Sequence, residues 1–300
     1  MTLHLSVATE DLDSSLKKAI GVAAAMEVAG VRLNTRSELS VTTTGTSALR
    51  QILLYVKERQ MKVAGLICPT RHALHDAEYL EPRLDVIRQS MSLVRRMETS
   101  ELLVRCGRIP DPDSDANAEK RPTTPISIDE QANPFSFTPN SSVTSPPVSA
   151  AARFHMLCEI LNDLTRHGNH VGCVLNLQLA TFDARLIRKL LSEVKAGPLN
   201  ICFDPATAIM TGADVVGTYR DLYQHVGYVR ARDALRDVDG AGVEVAVGDG
   251  VVDWIQLLPS LSESDYRGWV CVERTGGDHR REDVERGVSC LNSLIPQTDD

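Results

Sequence analysis

The sequence predicts a single (β/α)8 barrel with one long insertion, on the strength of its rhythm and its proline distribution. Short β-branched runs alternate with helical patterns along the 300 residues, which favours a parallel sheet covered by helices. Eight of the 14 prolines fall in residues 110–147, a stretch crowded with Ser, Thr, Asp and Asn. Such a stretch cannot bury enough apolar surface to offset its ordering entropy, which predicts a disordered segment or loop insertion. The 262 residues outside it are close to the roughly 250 of such a barrel, although two small domains joined by this stretch would also fit the length.

The eight predicted strands are short apolar runs that bracket the helical segments. In chain order they are Leu3–Ala8, Gly30–Asn34, Val63–Cys68, Leu102–Cys106, Gly172–Leu177, Leu199–Phe203, Val226–Ala231 and Gly268–Val272. Apolar residues spaced three and four apart predict one buried face on the helices between them. The clearest helical patterns cover Leu49–Val56, Leu80–Val94 and Phe154–Leu164. The insertion follows the fourth strand, and in a barrel it therefore belongs to the βα loops, at the face where active sites lie.

Composition excludes several classes of function. The net charge of −8 argues against nucleic-acid binding, which needs a concentrated basic surface. No apolar run approaches the roughly 20 residues of a membrane-spanning helix, and the first residues lack the basic and apolar regions of a signal peptide. The seven cysteines form no CxxC pair and mostly lie inside apolar runs, which predicts buried, reduced thiols in a cytoplasmic protein.

Polar and ionisable side chains end the four late strands. Side chains two apart on a strand share a face, so each strand can be assigned one inward-pointing series. The four series are Asn176 and Gln178; Asn200, Cys202 and Asp204; Tyr228, Arg230 and Arg232; and Trp269, Cys271 and Glu273. Ionisable groups at the C-terminal ends of barrel strands are typical of a functional site. We therefore expect the site at the barrel mouth.

The second half of the chain resembles a known family. The resemblance rests on four motifs, in the family's order and spacing, between about Gly172 and Ile295. They are Phe203-Asp204-Pro205-Ala206, Val229-Arg230-Ala231-Arg232-Asp233, Val247-Gly248-Asp249-Gly250 with Asp253-Trp254, and Tyr266-Arg267-Gly268-Trp269 leading into Val272-Glu273. Together they resemble the xylose isomerase-like TIM barrels, the sugar phosphate isomerase/epimerase superfamily. The resemblance implies a TIM barrel that moves a proton next to a carbonyl of a sugar.

The resemblance also implies a divalent metal (Mn, Mg or Zn), held by a Glu, an Asp, a His and a Glu from the late strands. Asp204 and Glu273 match the second and fourth ligands, but Gln178 stands at the first and Arg230 at the His position. An arginine is always protonated and has no lone pair to donate. We therefore predict no metal, and expect the Arg230 guanidinium to take its place by bridging Asp204 and Glu273 in forked hydrogen bonds.

This set of residues predicts an isomerase/epimerase-like protein acting on a small sugar, polyol or sugar acid. Glu273 is the candidate general base. Arg230 is expected to replace the metal electrostatically, and Asp204 to orient Arg230. The predicted substrate-binding residues are Gln178, Arg236, Tyr228 and Asn176; Arg236 matches a substrate-contacting arginine of several family epimerases. Together with Arg232 and Arg236, the strand-two residues Arg32 and Arg36 would suit an anionic sugar derivative. For Arg32 and Arg36, however, exposure and pairing with a nearby acid is the favoured interpretation.

Two other functions stay open. One is a catalytically inactive barrel that serves as a ligand-binding or protein-interaction module, in which Asp204, Arg230 and Glu273 form only a buried ion-pair network. The other is an endonuclease-like relative acting on abasic DNA, which would need a His-rich multi-metal site that the sequence lacks. His72 and His75, in the loop after the third strand, are either spare acid/base groups or, as we favour, solvated. Assembly into a homo-oligomer also stays open.

Overall fold

A computed structural model describes residues 3–40, 44–114, 148–236 and 242–295. Eight parallel strands form the barrel: β1 (His4–Ala8), β2 (Gly30–Asn34), β3 (Lys62–Cys68), β4 (Glu101–Gly107), β5 (Val174–Leu179), β6 (Leu199–Phe203), β7 (Val226–Ala231) and β10 (Trp269–Val272). They close in the order β1-β10-β7-β6-β5-β4-β3-β2, which confirms the predicted (β/α)8 fold.

Helices follow the strands and cover the barrel. They are α1 (Leu16–Ala25), α2 (Thr46–Lys57), α3 (Leu80–Val94), α4 (Ala150–Val171), α5 (Ala184–Glu193), α6 (Pro205–Thr211), α7 (Val215–Leu222), α8 (Trp254–Glu263) and α9 (Arg280–Leu294). The predicted apolar faces of α3 and α4 are buried against the sheet, as the three-and-four spacing requires. Among the described residues, no helix is long and apolar enough to cross a membrane.

The fifth strand begins two residues later than the sequence indicates. Gly172 has φ +69° and ends α4 in the left-handed conformation, which a glycine adopts without steric cost. The strand therefore starts at Val174 and extends to Leu179, which brings Gln178 inside it. The insertion predicted at 110–147 does follow β4, but residues 115–147 lie outside the described residues.

The inward-facing residues of the barrel follow the predicted alternation. A buried cluster inside the barrel takes one residue from each of six strands: Ala8, Ile67, Leu103, Cys202, Tyr228 and Cys271. Cys202, Tyr228 and Cys271 belong to the series assigned from the sequence, and the residues two positions further along reach the mouth. The predicted burial of the cysteines is confirmed for Cys68, Cys106, Cys173, Cys202 and Cys271.

A short antiparallel hairpin, which the sequence did not predict, follows β7 at the mouth. Its strands are β8 (Asp233–Arg236) and β9 (Gly242–Val245). The fully buried Asp233 carboxylate anchors the next loop, since it accepts hydrogen bonds from three backbone N–H groups and from the Trp254 indole at 2.9–3.1 Å. The motif around Gly248-Asp249-Gly250 is a turn that leads into α8.

Candidate functional site

Asp204 ends β6 and begins α6. Its Oδ1 accepts a hydrogen bond from the Thr207 backbone N–H at 3.1 Å, which caps the helix, and Pro205 occupies the first helical position. Its Oδ2 accepts from Arg232 at 2.7 Å and from Arg230 at 3.2 Å. Burial alone would raise the pKa of Asp204, but the two guanidinium groups lower it below its ordinary value. The carboxylate is therefore charged at neutral pH.

Glu273 directly follows β10, and both of its carboxylate oxygens are occupied. Oε1 accepts from Arg32 at 2.6 Å, and Oε2 accepts from Arg230 Nε at 2.8 Å and lies 2.7 Å from Arg230 Nη2. The side chain has no solvent exposure. Burial would raise its pKa, yet Arg230 and Arg32 outweigh burial and lower it. Glu273 is thus a fully paired anion.

Arg230 lies between the two carboxylates, in the arrangement that the sequence predicts. Its Nε and Nη2 contact Glu273, and its Nη1 contacts Asp204. Burial would lower its pKa, but the charges of Glu273 and Asp204 raise it above the ordinary value. The guanidinium therefore contributes a permanent positive charge at the centre of the mouth.

Further charged residues extend this centre in both directions, and two of them, Glu10 and Glu244, were not among the residues singled out from the sequence. Arg32 is only 2% exposed and bridges Glu273 to Glu10, so the expectation that it is exposed is wrong, although it does pair with acids. On the other side, Arg232 joins Asp204 to Glu244 of the hairpin. The mouth cluster is Glu10, Arg32, Asp204, Arg230, Arg232, Glu244 and Glu273. Its four carboxylates and three guanidinium groups sum to −1.

Alternation on the strands could have revealed part of this cluster. Glu10 continues the inward series of β1 two residues after Ala8, and Arg32 lies beside Ala8 in the register of β1 and β2. Glu244 had no such signal, because its position depends on the unpredicted hairpin.

The implied metal does not fit these residues. Of the four positions that match the family's ligands, Gln178 offers only an amide, and Arg230 offers no lone pair and fills the space between the two acids. The Nε2 of Gln178 is buried and has no hydrogen-bond partner in the described part of the chain. Throughout the described ranges, no three His, Cys, Asp or Glu side chains are grouped as a cation site would require.

Other predicted site residues lie away from the cluster. Asn176 is fully buried in the N-terminal half of the barrel, where its Nδ2 donates to Glu101 at 2.7 Å. Tyr228 is buried inside the barrel with Cys271. Arg236 is exposed at the end of β8, next to Gly212. The structure thus brings together Asp204, Arg230 and Glu273 but does not bring Asn176 or Arg236 to them.

Asp11 is a further titratable group beside the cluster, and no sequence pattern points to it. It is buried, and its Oδ2 accepts from the Arg274 backbone N–H at 3.0 Å while Oδ1 lies 3.4 Å from Arg280. Burial, followed by the charge of Glu273, raises its pKa to about 7. Its protonation state therefore changes near neutral pH.

Solved structures of the same fold cover almost the whole chain. A xylose isomerase domain protein from Planctomyces limnophilus has a TM-score of 0.73 at 17% identity, with 98% of this chain and 96% of that chain covered. A 3-keto-D-glucoside 4-epimerase from E. coli has a TM-score of 0.70 at 14% identity, with coverages of 97% and 99%. A D-psicose 3-epimerase with D-tagatose, from Clostridium cellulolyticum H10, has a TM-score of 0.71 at 9% identity, with coverages of 98% and 99%. At these identities the likeness shows the fold.

Sequence comparison assigns the family. No curated protein matches the chain. A family model described as xylose isomerase-like TIM barrel matches residues 20–294, which include Asp204, Arg230 and Glu273. With the closed barrel and the four motifs already described, this match places the chain in the family of xylose isomerase-like TIM barrels.

Proposed function

We propose that this chain is a metal-independent, sugar isomerase/epimerase-like protein that binds a small sugar, polyol or sugar acid at the barrel mouth. The observation that carries the proposal is the position of Arg230, in contact with both Asp204 and Glu273. The sugar epimerases of the same fold support a carbohydrate ligand.

Arg230 is suited to the electrostatic part of the chemistry. When a proton leaves the carbon next to a carbonyl, negative charge develops on the carbonyl oxygen, and a fixed positive charge nearby stabilises it. Arg230 is held rigidly by three contacts and stays charged at any physiological pH. It therefore supplies in fixed form the positive charge that an ion supplies elsewhere in the family.

Glu273 is the proposed general base, and its contacts restrain it. A base needs a lone pair that the substrate can reach, whereas the Glu273 side chain has no solvent exposure, both of its oxygens accept from arginines, and its pKa is lowered. Proton transfer therefore requires a bound ligand to reach this buried carboxylate. The same observation favours a second candidate function: a catalytically inactive barrel that binds its ligand with the mouth cluster intact.

Metal analysis tests the first part of the proposal. The wild type and a Gln178→Glu/Arg230→His variant, which restores the family's Glu, Asp, His and Glu, are dialysed against Mn²⁺ and analysed by mass spectrometry. We expect stoichiometric metal only in the double variant. Stoichiometric metal in the wild type that disappears in Asp204→Asn would overturn the proposal.

Solvent exchange separates the two candidate functions. Each protein is incubated with D-psicose, D-tagatose or a 3-keto-D-glucoside in D₂O, and deuterium incorporation next to the carbonyl is followed by NMR. Exchange by the wild type that Glu273→Gln abolishes supports the isomerase/epimerase-like function. Saturable sugar binding by calorimetry, without exchange, supports the inactive barrel.

A further inference from the structure

A cavity of about 490 Å³ lies on the same face of the barrel as the mouth, between the loops that follow β2 and β3 and the start of α3. Its polar lining includes Arg36, Thr70, Arg71, His72, Tyr79 and Arg83. None of these residues belongs to the mouth cluster. Three arginines therefore line one cavity, and the partners of each arginine show what the cavity lacks.

Arg83 is a buried cation without an acidic partner. Its side chain is 6% exposed, and its Nη1 and Nη2 donate to the backbone carbonyls of Glu78 and Asp76. Its Nε is buried and has no hydrogen-bond partner among the described residues. A buried charge is costly unless it is paired and fully hydrogen-bonded. Of the buried arginines in the described ranges, Arg32 and Arg232 each contact two carboxylates, whereas Arg83 contacts none.

The other two arginines of the cavity are also without a carboxylate in the described part of the chain. Arg36 donates from Nη1 to the Pro69 carbonyl at 3.3 Å, and Arg71 is exposed. The neighbouring acid, Asp76, is already occupied by His72 Nδ1 at 2.9 Å and by the Glu78 backbone N–H at 3.1 Å. Three positive charges therefore face the cavity, and the Asp76 carboxylate is engaged with other groups.

We infer that this cavity binds the phosphate group of a small molecule. Guanidinium groups form paired, charge-assisted hydrogen bonds with phosphate oxygens, and such bonds are among the strong ones in proteins. A bound phosphate would supply the missing counter-charge for Arg83. The Thr70 hydroxyl at the cavity wall adds a donor, since its present bond to the His72 carbonyl is long, at 3.3 Å.

The cavity is linked to the mouth cluster through β2. The Arg36 backbone N–H donates to Asn34 Oδ1 at 2.9 Å, and Asn34 Nδ2 donates to Glu10, a member of the mouth cluster. The phosphate could belong to free inorganic phosphate or to a phosphate ester that reaches toward the mouth. The inference does not rest on the proposed function, because phosphate binding requires neither Arg230 nor turnover.

The test measures binding of inorganic phosphate to the full chain by calorimetry in phosphate-free buffer. We expect saturable binding by the wild type and a loss of affinity of about tenfold or more in Arg36→Met/Arg71→Met, in which both replaced residues are exposed. Arg281→Met, an exposed arginine of α9, is the matched control and should bind as the wild type does. Absence of binding by the wild type, or equal affinity in the double variant, overturns the inference.

Two further measurements identify the source of the phosphate and the part played by Arg83. Ribose 5-phosphate and ribose are titrated in parallel with inorganic phosphate. If ribose 5-phosphate binds more tightly than inorganic phosphate, the ligand is a sugar phosphate; if the two bind with equal affinity, it is the free anion. Arg83→Met should remove the phosphate-dependent rise in melting temperature while the protein stays folded by circular dichroism. Arg230→Met should keep phosphate binding, so that failure of the proposed function leaves this inference separately testable. If Arg83→Met folds and keeps the full phosphate response, Arg83 is not part of the site.

Discussion

Replacing Arg230 by methionine tests whether the mouth cluster is a tightly coupled buried network. The substitution removes three donors to Glu273 and Asp204 but leaves Glu273 its Arg32 contact at 2.6 Å and Asp204 its Arg232 contact at 2.7 Å. Removing one partner of a buried ion pair costs about 3–5 kcal/mol, because the other charge stays behind uncompensated. Since each carboxylate keeps one arginine, we expect about 3 kcal/mol, the lower end of that range.

Urea unfolding followed by circular dichroism at neutral pH measures this loss. The matched control is Lys57→Met, which breaks a 2.6 Å pair with Glu98 in which both side chains are at least half exposed. Such surface pairs contribute under about 1 kcal/mol, because water screens them and ordering the side chains offsets the attraction. If Arg230→Met loses no more stability than Lys57→Met, the mouth cluster does not stabilise the fold as a coupled unit.

Three further substitutions test other features of the fold. Burial raises the pKa of Asp11 from 3.8 to about 7, so its contribution to stability is full below about pH 4 and is lost as the pH rises through 7. Urea unfolding at several pH values should therefore show the free energy of unfolding falling by up to roughly 4 kcal/mol over this range, and Asp11→Asn should lack this fall. Asp233→Asn places an NH₂ group against two of the four N–H donors that the carboxylate satisfies. It should lower the free energy of unfolding, measured in urea, by about 3 kcal/mol or more, and a variant as stable as the wild type would contradict the anchoring role of Asp233. Gly227→Ala drives a methyl group into the Asn176 side chain and should lower the free energy of unfolding by about 1–3 kcal/mol. The control, Gly21→Ala, places its methyl group in open space on α1 and should be neutral or stabilising. Equal melting temperatures of the two variants would refute this difference.

Alternation and apolar spacing were sufficient to predict the barrel. Each barrel strand is a short apolar run, and one face of each of the four late strands carries a polar series toward the mouth, so the sequence alone is sufficient to group Asp204, Arg230 and Glu273. The start of β5 was misplaced because an apolar run does not show that Gly172 ends the preceding helix. Alternation also shows which side chains of a strand point into the barrel, but not how far along the barrel axis each of them lies. For this reason Asn176 was expected at the mouth, although it donates to Glu101 in the N-terminal half of the barrel.

The partners of each charge could not be predicted from the sequence. Arg32 and Glu273 are 241 positions apart and meet only because β1, which pairs with both β2 and β10, closes the barrel. Glu244 reaches Arg232 through a hairpin of two four-residue strands, which is too short for its periodicity to be recognised. Conversely, Arg83 lies on the apolar side of its helical pattern, three residues after Leu80 and four before Ile87, and only the structure shows that its guanidinium is buried there without an acid.

The charges at the four ligand positions explain how this barrel keeps its fold without fitting a metal. The family's Glu, Asp, His and Glu sum to −3, and a divalent ion brings the buried site to −1. In this chain Gln178 removes one negative charge and Arg230 adds one positive charge, so the four residues reach −1 by themselves. Reverting Gln178 alone adds an unpaired carboxylate, and reverting Arg230 alone leaves Asp204 and Glu273 without their shared cation. Gln178→Glu alone and Arg230→His alone should therefore each destabilise the protein, whether Mn²⁺ is present or not. Only the double variant should regain stability when Mn²⁺ is added, because only in that variant does the ion bring the charge of the site back to −1.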